Sequence, residues 1–230
     1  DNTRSRGLGD VYKRQENSTE GAVTHTFDQF ATTSLKICAE IYLPVSLTLL
    51  SKVDRDQLRV IYSKHEVFGQ CRTWLQTHLP DVELSPVEST TKAVKLALES
   101  EYSAAIASAM ASDMYGIEVL ANGIQDMQGN TTRFLVIGHN YSSVTGEDKT
   151  SVVFGVKDAV GELHEALAVF KNDDINLSKI ESRPSKNKAW EYFFFVDIDG
   201  HAEDPTVAKA LEELKSHCTL MTILGSYPRA

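Results

Sequence analysis

The sequence predicts an α/β fold in two successive parts. From Leu58 to Ile137, short apolar strands alternate with amphipathic helical stretches, as in α/β layers with parallel strands. From Ser151 to Leu224 the order is strand, helix, strand, strand, helix, strand, the ferredoxin-like split βαβ arrangement. The composition, 42% apolar and 24% charged over 230 residues, is that of a globular chain.

In the first part, Leu58–Ser63 is β-branched and apolar and reads as a strand. Glu66–His78 places Val67, Cys71, Trp74, Leu75 and His78 at helical spacing, one face of a helix. Val82–Val87 reads as a second strand. Ser89 or Thr90 caps the next helix, whose apolar face is Ala93, Val94, Ala97 and Leu98. Ala104–Ala107 is a short buried strand and Ala109–Tyr115 a short helix. Gly116 turns the chain into Ile117–Ala121, and Thr132–Ile137 is the last strand. Ligands in such folds bind beyond the carboxyl ends of strands and at helix N-termini.

The polar, turn-rich stretch from Gly138 to Thr150 reads as a turn and linker, with residues 139–150 as the linker proper. In the second part, 151–230, Ser151–Val156 is a strand and Val160–Lys171 a helix with Leu163, Leu167 and Phe170 inward. Ile175–Ser182 is a strand, Pro184–Lys188 a turn and Trp190–Asp199 a strand. Pro205–Ser216 is a helix with Val207, Leu211 and Leu214 inward, and Cys218–Leu224 closes the unit. Helices on one side of a four-stranded sheet leave its other face to be covered, which favours a dimer. Residues 1–15 have no hydrophobic period and no apolar signal core, and they look like translated adapter sequence.

Charge and motifs exclude several classes. With 23 Lys+Arg against 32 Asp+Glu, the formal charge is −9, unsuited to general binding of nucleic acid or anionic membranes. No apolar run approaches the roughly 20 residues of a membrane span. Cys38, Cys71 and Cys218 are scattered and odd in number, which suggests reduced thiols in a cytoplasm. There is no GxGxxG, P-loop or HExxH string, and the histidines lack metal-ligand spacing, so no metal and no organic cofactor is expected. Ser89-Thr90-Thr91-Lys92 fits SxxK, but here it opens a helix.

Three polar clusters remain. Glu16–Gly21 (ENSTEG) has hydroxyls and amides suited either to an anion or to a helix cap. Ser63 ends a strand, where ligands bind, and Gln70 lies two turns into the following helix. Asn130-Thr131-Thr132-Arg133-Phe134 follows a Gly129 turn, and a Thr beside an Arg suits an anion that must lose a hydroxyl. The same string is also an ordinary turn-to-strand entry.

The strings ENSTEGAV, YSKHEVFGQC, NTTRFLVIG and IESRP, in that order and ending in LGSYP, resemble prephenate dehydratase with a C-terminal ACT domain. The resemblance runs from Glu16 to Pro228. It implies a periplasmic-binding-protein-like two-lobed region over 16–138, with its N-terminal part missing, followed by an ACT regulatory domain over 151–230. It implies conversion of prephenate to phenylpyruvate in the cytoplasm, within phenylalanine biosynthesis. By motif, Thr132 is implied as catalytic, with Asn17, Ser63 and Gln70 as substrate-binding residues. Arg133 is expected to lend positive potential to the substrate.

In the ACT part, the resemblance implies phenylalanine held between subunits of a homodimer or homotetramer. The motif positions are Gly161, Leu163, Glu181, Ser182, Arg183 and Pro184, with Glu162 where the family has Ala. Arogenate dehydratase is the neighbouring activity, and a non-catalytic amino-acid-binding module the alternative class. Because the family's opening strand is absent, the chain as written is expected to be weakly active or inactive.

Overall fold

The computed structural model describes residues 11–17, 21–22, 30, 34–140, 142–184 and 192–230. In chain order the strands are β1 (Val11–Asn17), β2 (Gly21–Ala22), β3 (Lys36–Pro44), β4 (Leu47–Ser51) and β5 (Val60–Ser63). Helices α1 (His65–Gln70) and α2 (Arg72–His78) follow, then β6 (Glu83–Pro86), α3 (Thr90–Glu99), β7 (Ser103–Ser108), α4 (Met110–Tyr115) and β8 (Glu118–Ala121). The chain continues with β9 (Thr131–Gly138), β10 (Asp148–Val156), α5 (Glu162–Asn172), β11 (Leu177–Pro184), β12 (Tyr192–Asp199), α6 (Pro205–His217) and β13 (Cys218–Pro228). By internal contacts these form two units. One is Pro44–Thr131; the other joins residues up to Leu43 with Thr132–Ala230.

The Pro44–Thr131 unit is a five-stranded sheet in the order β6-β5-β7-β4-β8. β5 runs parallel to β6 and β7, as the helical crossovers require. The expectation of parallel strands fails at β4, which is antiparallel to both β7 and β8. β4 enters the sheet before any crossover helix, so nothing forces it into the common direction. The apolar run Lys36–Ser51, to which the sequence analysis assigned no element, supplies β3 and β4. Every residue of β4 is buried. Leu47 and Leu49 pack with Ile61 and Ile106, while Leu50 packs with Val94 and Ala105 on the opposite face.

The helix expected over Glu66–His78 is two helices that meet at Cys71 (φ −117°, ψ 15°). The break has a cause. The Asp126 carboxylate accepts the Thr73 and Trp74 amides at 2.9 and 3.0 Å, which gives α2 its own capped start. Of the two caps offered for α3, Ser89 serves, its Oγ accepting the Lys92 amide at 3.1 Å.

The second unit holds two four-stranded sheets, β2-β1-β9-β3 and β11-β12-β10-β13. In the latter, α5 and α6 cover one face with Val169, Phe170, Leu211 and Leu214 against Val152, Phe154 and Val196. The opposite face, which was expected to need a partner subunit, is covered by this chain's own strands. Ile37 of β3 and Leu135 and Ile137 of β9 pack on Val153, Phe195, Leu224 and Tyr227. Gly225 marks the closest approach: a Cβ there would stand 2.1 Å from the Ile37 carbonyl oxygen, so only glycine fits.

Residues 11–15, set aside as adapter-like, form strand with Glu16 and Asn17: β1 pairs antiparallel with β9 from Val11↔Ile137 to Asn17↔Thr132. The backbone there extends β9's ladder whatever the origin of the segment. The expected linker is shorter than 139–150, because β10 begins at Asp148. There Asp148 accepts the Thr145 and Gly146 amides at 2.8 and 3.0 Å and ties the preceding turn to the strand. The turn after Pro184 and the strand start at Trp190 lie outside the described residues.

Candidate functional site

β9 carries two predicted site residues side by side, and strand geometry sends them to opposite faces. Thr132 is 6% exposed. Its register partner across the β1–β9 ladder is Asn17, so two residues from separate motifs stand opposite each other in one sheet. Ser18, Thr19 and Glu20 of the ENSTEG string lie outside the described residues.

Arg133 belongs to the face that also carries Leu135 and Ile137. Its guanidinium is buried in a network of charges. Nε donates to Glu40 Oε2 at 2.7 Å, one terminal nitrogen to Asp197 Oδ2 at 2.6 Å and the other to Tyr227 Oη at 2.9 Å. Lys149 Nζ donates to the second Glu40 oxygen at 2.8 Å. Two cations therefore meet two carboxylates inside the unit. Burial alone would lower the Arg133 pKa, but Asp197, Tyr227 and Glu40 outweigh it and hold the guanidinium charged. Burial pushes the Tyr227 phenol well above its ordinary range, so it stays protonated. The sequence offered Arg133 as positive potential beside Thr132; the structure balances that charge internally, on the other face of the strand.

Proton positions in this network follow from donor capacity. Ser151 has one hydroxyl proton and donates it to Asp197 Oδ1 at 2.5 Å. Tyr227 must then donate across the 2.6 Å contact to Ser151 Oγ. The donor chain runs Arg133 to Tyr227 to Ser151 to Asp197, and the second Asp197 oxygen accepts directly from Arg133, which closes the ring. Asp197 and Ser151 are register partners in β12 and β10, so the ring spans neighbouring strands.

The other two predicted site residues lie in the Pro44–Thr131 unit. Ser63 ends β5, is fully buried and donates to the Ile106 carbonyl at 2.7 Å. Gln70, the last residue of α1, accepts through Oε1 from Asn130 Nδ2 at 3.0 Å. The Asn130 carbonyl in turn accepts from the Val45 amide at 2.8 Å. Gln70 also offers its backbone carbonyl to the Asp126 amide at 2.7 Å. A side-chain amide can hold a carboxylate without introducing a charge, whereas the one proton of Ser63 is already given to the Ile106 carbonyl. Hydrogen bonds from the Thr73 and Trp74 amides outweigh desolvation and hold the Asp126 carboxyl below the usual range.

In the ACT part, Gly161 stands at φ +88° as the N-cap of α5, a backbone conformation that favours glycine. Leu163 packs partly buried against the helix-side core. β11 is an edge strand, and its register sorts the ESRP residues. Ser182 pairs with Phe194 and Pro184 with Tyr192 on the helix-bearing face; Glu181 pairs with Phe195 and Arg183 with Phe193 on the other. Ser182 and Pro184 therefore share a face with α5, and Glu181 and Arg183 do not.

Sequence reasoning missed Glu40, Asp126, Asp197 and Lys149. None sits in a motif, and each partner is far away along the chain. Tyr227 carried a signal in the closing SYP string, though not its role. Among the described residues no group of three or more His, Cys, Asp or Glu side chains could hold a metal ion, and no helix is long and apolar enough to cross a membrane.

Comparison with known proteins gives this α/β architecture its class. The family described as prephenate dehydratase matches residues 15–142, and that described as ACT domain matches 150–216. A bifunctional chorismate mutase/prephenate dehydratase of Aquifex aeolicus is 50% identical over 94% of this chain and 60% of its own length. The chain thus spans 60% of the length of this relative and of a second bifunctional enzyme, from Stutzerimonas stutzeri, that is 42% identical over 94% of this chain. The crystal structure of prephenate dehydratase from Arthrobacter aurescens, in complex with L-Phe, superposes with a TM-score of 0.87. Its identity is 37% over 96% of this chain and 76% of that one. A structure described as a novel type of quorum quenching acylase has a TM-score of 0.85 at 25% identity, covering 96% of this chain and 82% of that one. The chain belongs to the prephenate dehydratase family, with an ACT domain at its C-terminal end.

Proposed function

We propose that the protein to which this chain belongs converts prephenate to phenylpyruvate, with Thr132 as the catalytic hydrogen-bond donor and phenylalanine as a feedback effector at the ACT domain. Membership of the family supports the reaction. The observation that carries the residue assignment is the register of Asn17 opposite Thr132, two motif residues placed together in one sheet.

The chemistry suits these residue types. The bond from the ring to its carboxylate breaks, and carbon dioxide leaves. The electron pair moves through the ring and expels the hydroxyl from the opposite carbon. That oxygen departs as water if a proton reaches it during cleavage. Thr132 supplies the proton or a strong hydrogen bond and is reprotonated from solvent afterwards. A free threonine hydroxyl is a weak acid, so donation is concerted with C–O cleavage, and aromatisation supplies the driving force. Asn17 and Gln70 hold the substrate's carboxylates and orient its ring, work that suits fixed neutral donors, whereas Ser63, fully buried with its one proton on the Ile106 carbonyl, holds the end of β5 rather than the substrate. Arg133, buried among carboxylates, holds its strand rather than the substrate. No metal or organic cofactor enters the scheme.

At the ACT domain, phenylalanine's carboxylate is drawn to the N-terminus of α5 behind Gly161, with Leu163, Ser182 and Pro184 on the same side of the sheet. Glu162 and Glu165 in the first turn oppose that carboxylate. This predicts weaker inhibition than an alanine at 162 would give.

Replacement of Thr132 by alanine tests the assignment. Turnover of prephenate should fall by about 10²–10⁴-fold with KM little changed; turnover equal to the parent would remove Thr132 from the reaction. In a full-length version, arogenate assayed beside prephenate distinguishes the two dehydratase activities, and silence with both would leave the amino-acid-binding module as the function.

A further inference from the structure

We propose that Arg133 is a positioning residue whose buried ring with Tyr227, Ser151 and Asp197 fixes β9 on the ACT sheet and thereby sets where Thr132 stands. The proposal rests on the reading of Thr132 as the catalytic group. It also extends that reading, because it makes residues of the regulatory domain part of the machinery that aims the acid.

Four observations lead to it. Arg133 and Thr132 are consecutive in one strand, so a rotation or slide of Arg133 is transmitted to Thr132 through a single peptide unit. Arg133 holds Glu40 on β3 of its own sheet and Asp197 and Tyr227 on β12 and β13 of the ACT sheet. The guanidinium is planar with donors in fixed directions, so three partners on three strands determine its place and orientation together. Finally, Gly225 brings the two backbones so close that a Cβ there would stand 2.1 Å from the Ile37 carbonyl oxygen, so β3 and β13 meet at short range beside the ring. A hydrophobic contact alone tolerates small sliding; a saturated ion network with directional donors does not.

The alternative is that the network merely stabilises the fold. The two differ in what happens at Thr132 when the ACT end of the ring is altered in a protein that stays folded. The test uses the whole chain with ¹³C-labelled threonine methyl groups, the Thr132 signal being assigned by its loss in Thr132→Ser. Tyr227→Phe and Asp197→Asn alter the ring from the ACT side. Leu214→Ala disturbs the helix-side core of the same sheet without touching the ring. The expected result is displacement of the Thr132 methyl signal in both ring variants, none in Leu214→Ala, and partial recovery of the parent signal in Arg133→Lys relative to Arg133→Met.

Turnover provides the second readout. Tyr227→Phe should lower kcat by about 10²-fold, as misplacement of a reacting group by about 1 Å does, with KM unchanged. An unmoved methyl signal in Tyr227→Phe and Asp197→Asn would overturn the proposal. So would an equal displacement in Leu214→Ala, or a rise in KM alone in Arg133→Lys, which would make Arg133 a substrate contact. If the parent chain turns over no prephenate, the turnover readout is silent and the methyl signal alone decides this proposal, while the dehydratase reading is decided separately by Thr132→Ala in a complete relative carrying the same motifs.

Discussion

The two units bury polar side chains of different kinds. In Pro44–Thr131 they are neutral: Ser63 on the Ile106 carbonyl and Gln70 on Asn130. The carboxylate of Asp126 is kept at the surface, capping α2. In the other unit they include ions: Arg133 and Lys149 against Glu40 and Asp197, all almost without exposure. A buried neutral hydrogen bond is worth about 1 kcal/mol, and its loss is tolerable. A buried ion deprived of its partner costs several times that, because the survivor cannot return to water. The neutral region is therefore adjustable at low energetic risk. The ionic region is rigid, which suits a joint between sheets.

The contrast can be broken or sharpened by substitution. Arg133→Met should be the most severe change. It leaves Glu40 and Asp197 buried with one cation between them and should cost about 3–5 kcal/mol in denaturant unfolding; a loss under 1 kcal/mol would show that the ions do not depend on one another. Gly225→Ala comes next. A methyl forced against the Ile37 backbone should cost about 1–3 kcal/mol or more, read as a lowered Tm.

In the neutral unit, Asp126→Ala removes the cap of α2 and should cost about 0.5–2 kcal/mol. The parent should show a matching pH dependence. The Asp126 pKa is depressed on folding, so its contribution is complete above the ordinary carboxylate value and fades as pH falls through the lower folded value. Acid titration of stability should thus be flatter in Asp126→Ala, and an unaltered slope would deny the cap. Smallest, and of opposite sign, is Gly69→Ala. Nothing lies within 4 Å of a Cβ at this helical position, so the change should stabilise by about 0.4–1 kcal/mol.

What could be read from the sequence was local. Helix α3 announced itself through Ser89 and the spacing of Ala93, Val94 and Ala97, because capping and amphipathicity are written in consecutive residues. The βαββαβ order of the ACT part was legible for the same reason. β4 was not, because a strand buried on both faces shows no alternation, and its direction depends on partners not adjacent to it. The split of α1 from α2 depends on Asp126, some fifty residues downstream, an interval that no helical period reveals.

The site divided in the same way. Motif strings marked Asn17, Ser63, Gln70 and Thr132 as residues with work to do. They gave no sign that Arg133 turns away from Thr132, since its partners lie 93, 64 and 94 residues off along the chain. A strand's alternation would have been enough to suggest it: neighbours in a strand do not face the same way.

The loop that joins Arg133, Tyr227, Ser151 and Asp197 has a fixed polarity: donation starts at Arg133 and ends at Asp197 along both of its arms. Each hydroxyl has a single proton to give, so the loop closes in one direction only, and the mirror arrangement would leave a guanidinium hydrogen facing another donor. The two sheets can thus be stacked in many ways that satisfy their oily side chains, but in one that satisfies this loop. A chain assembling itself has in those few hydroxyls a lock that accepts a single key.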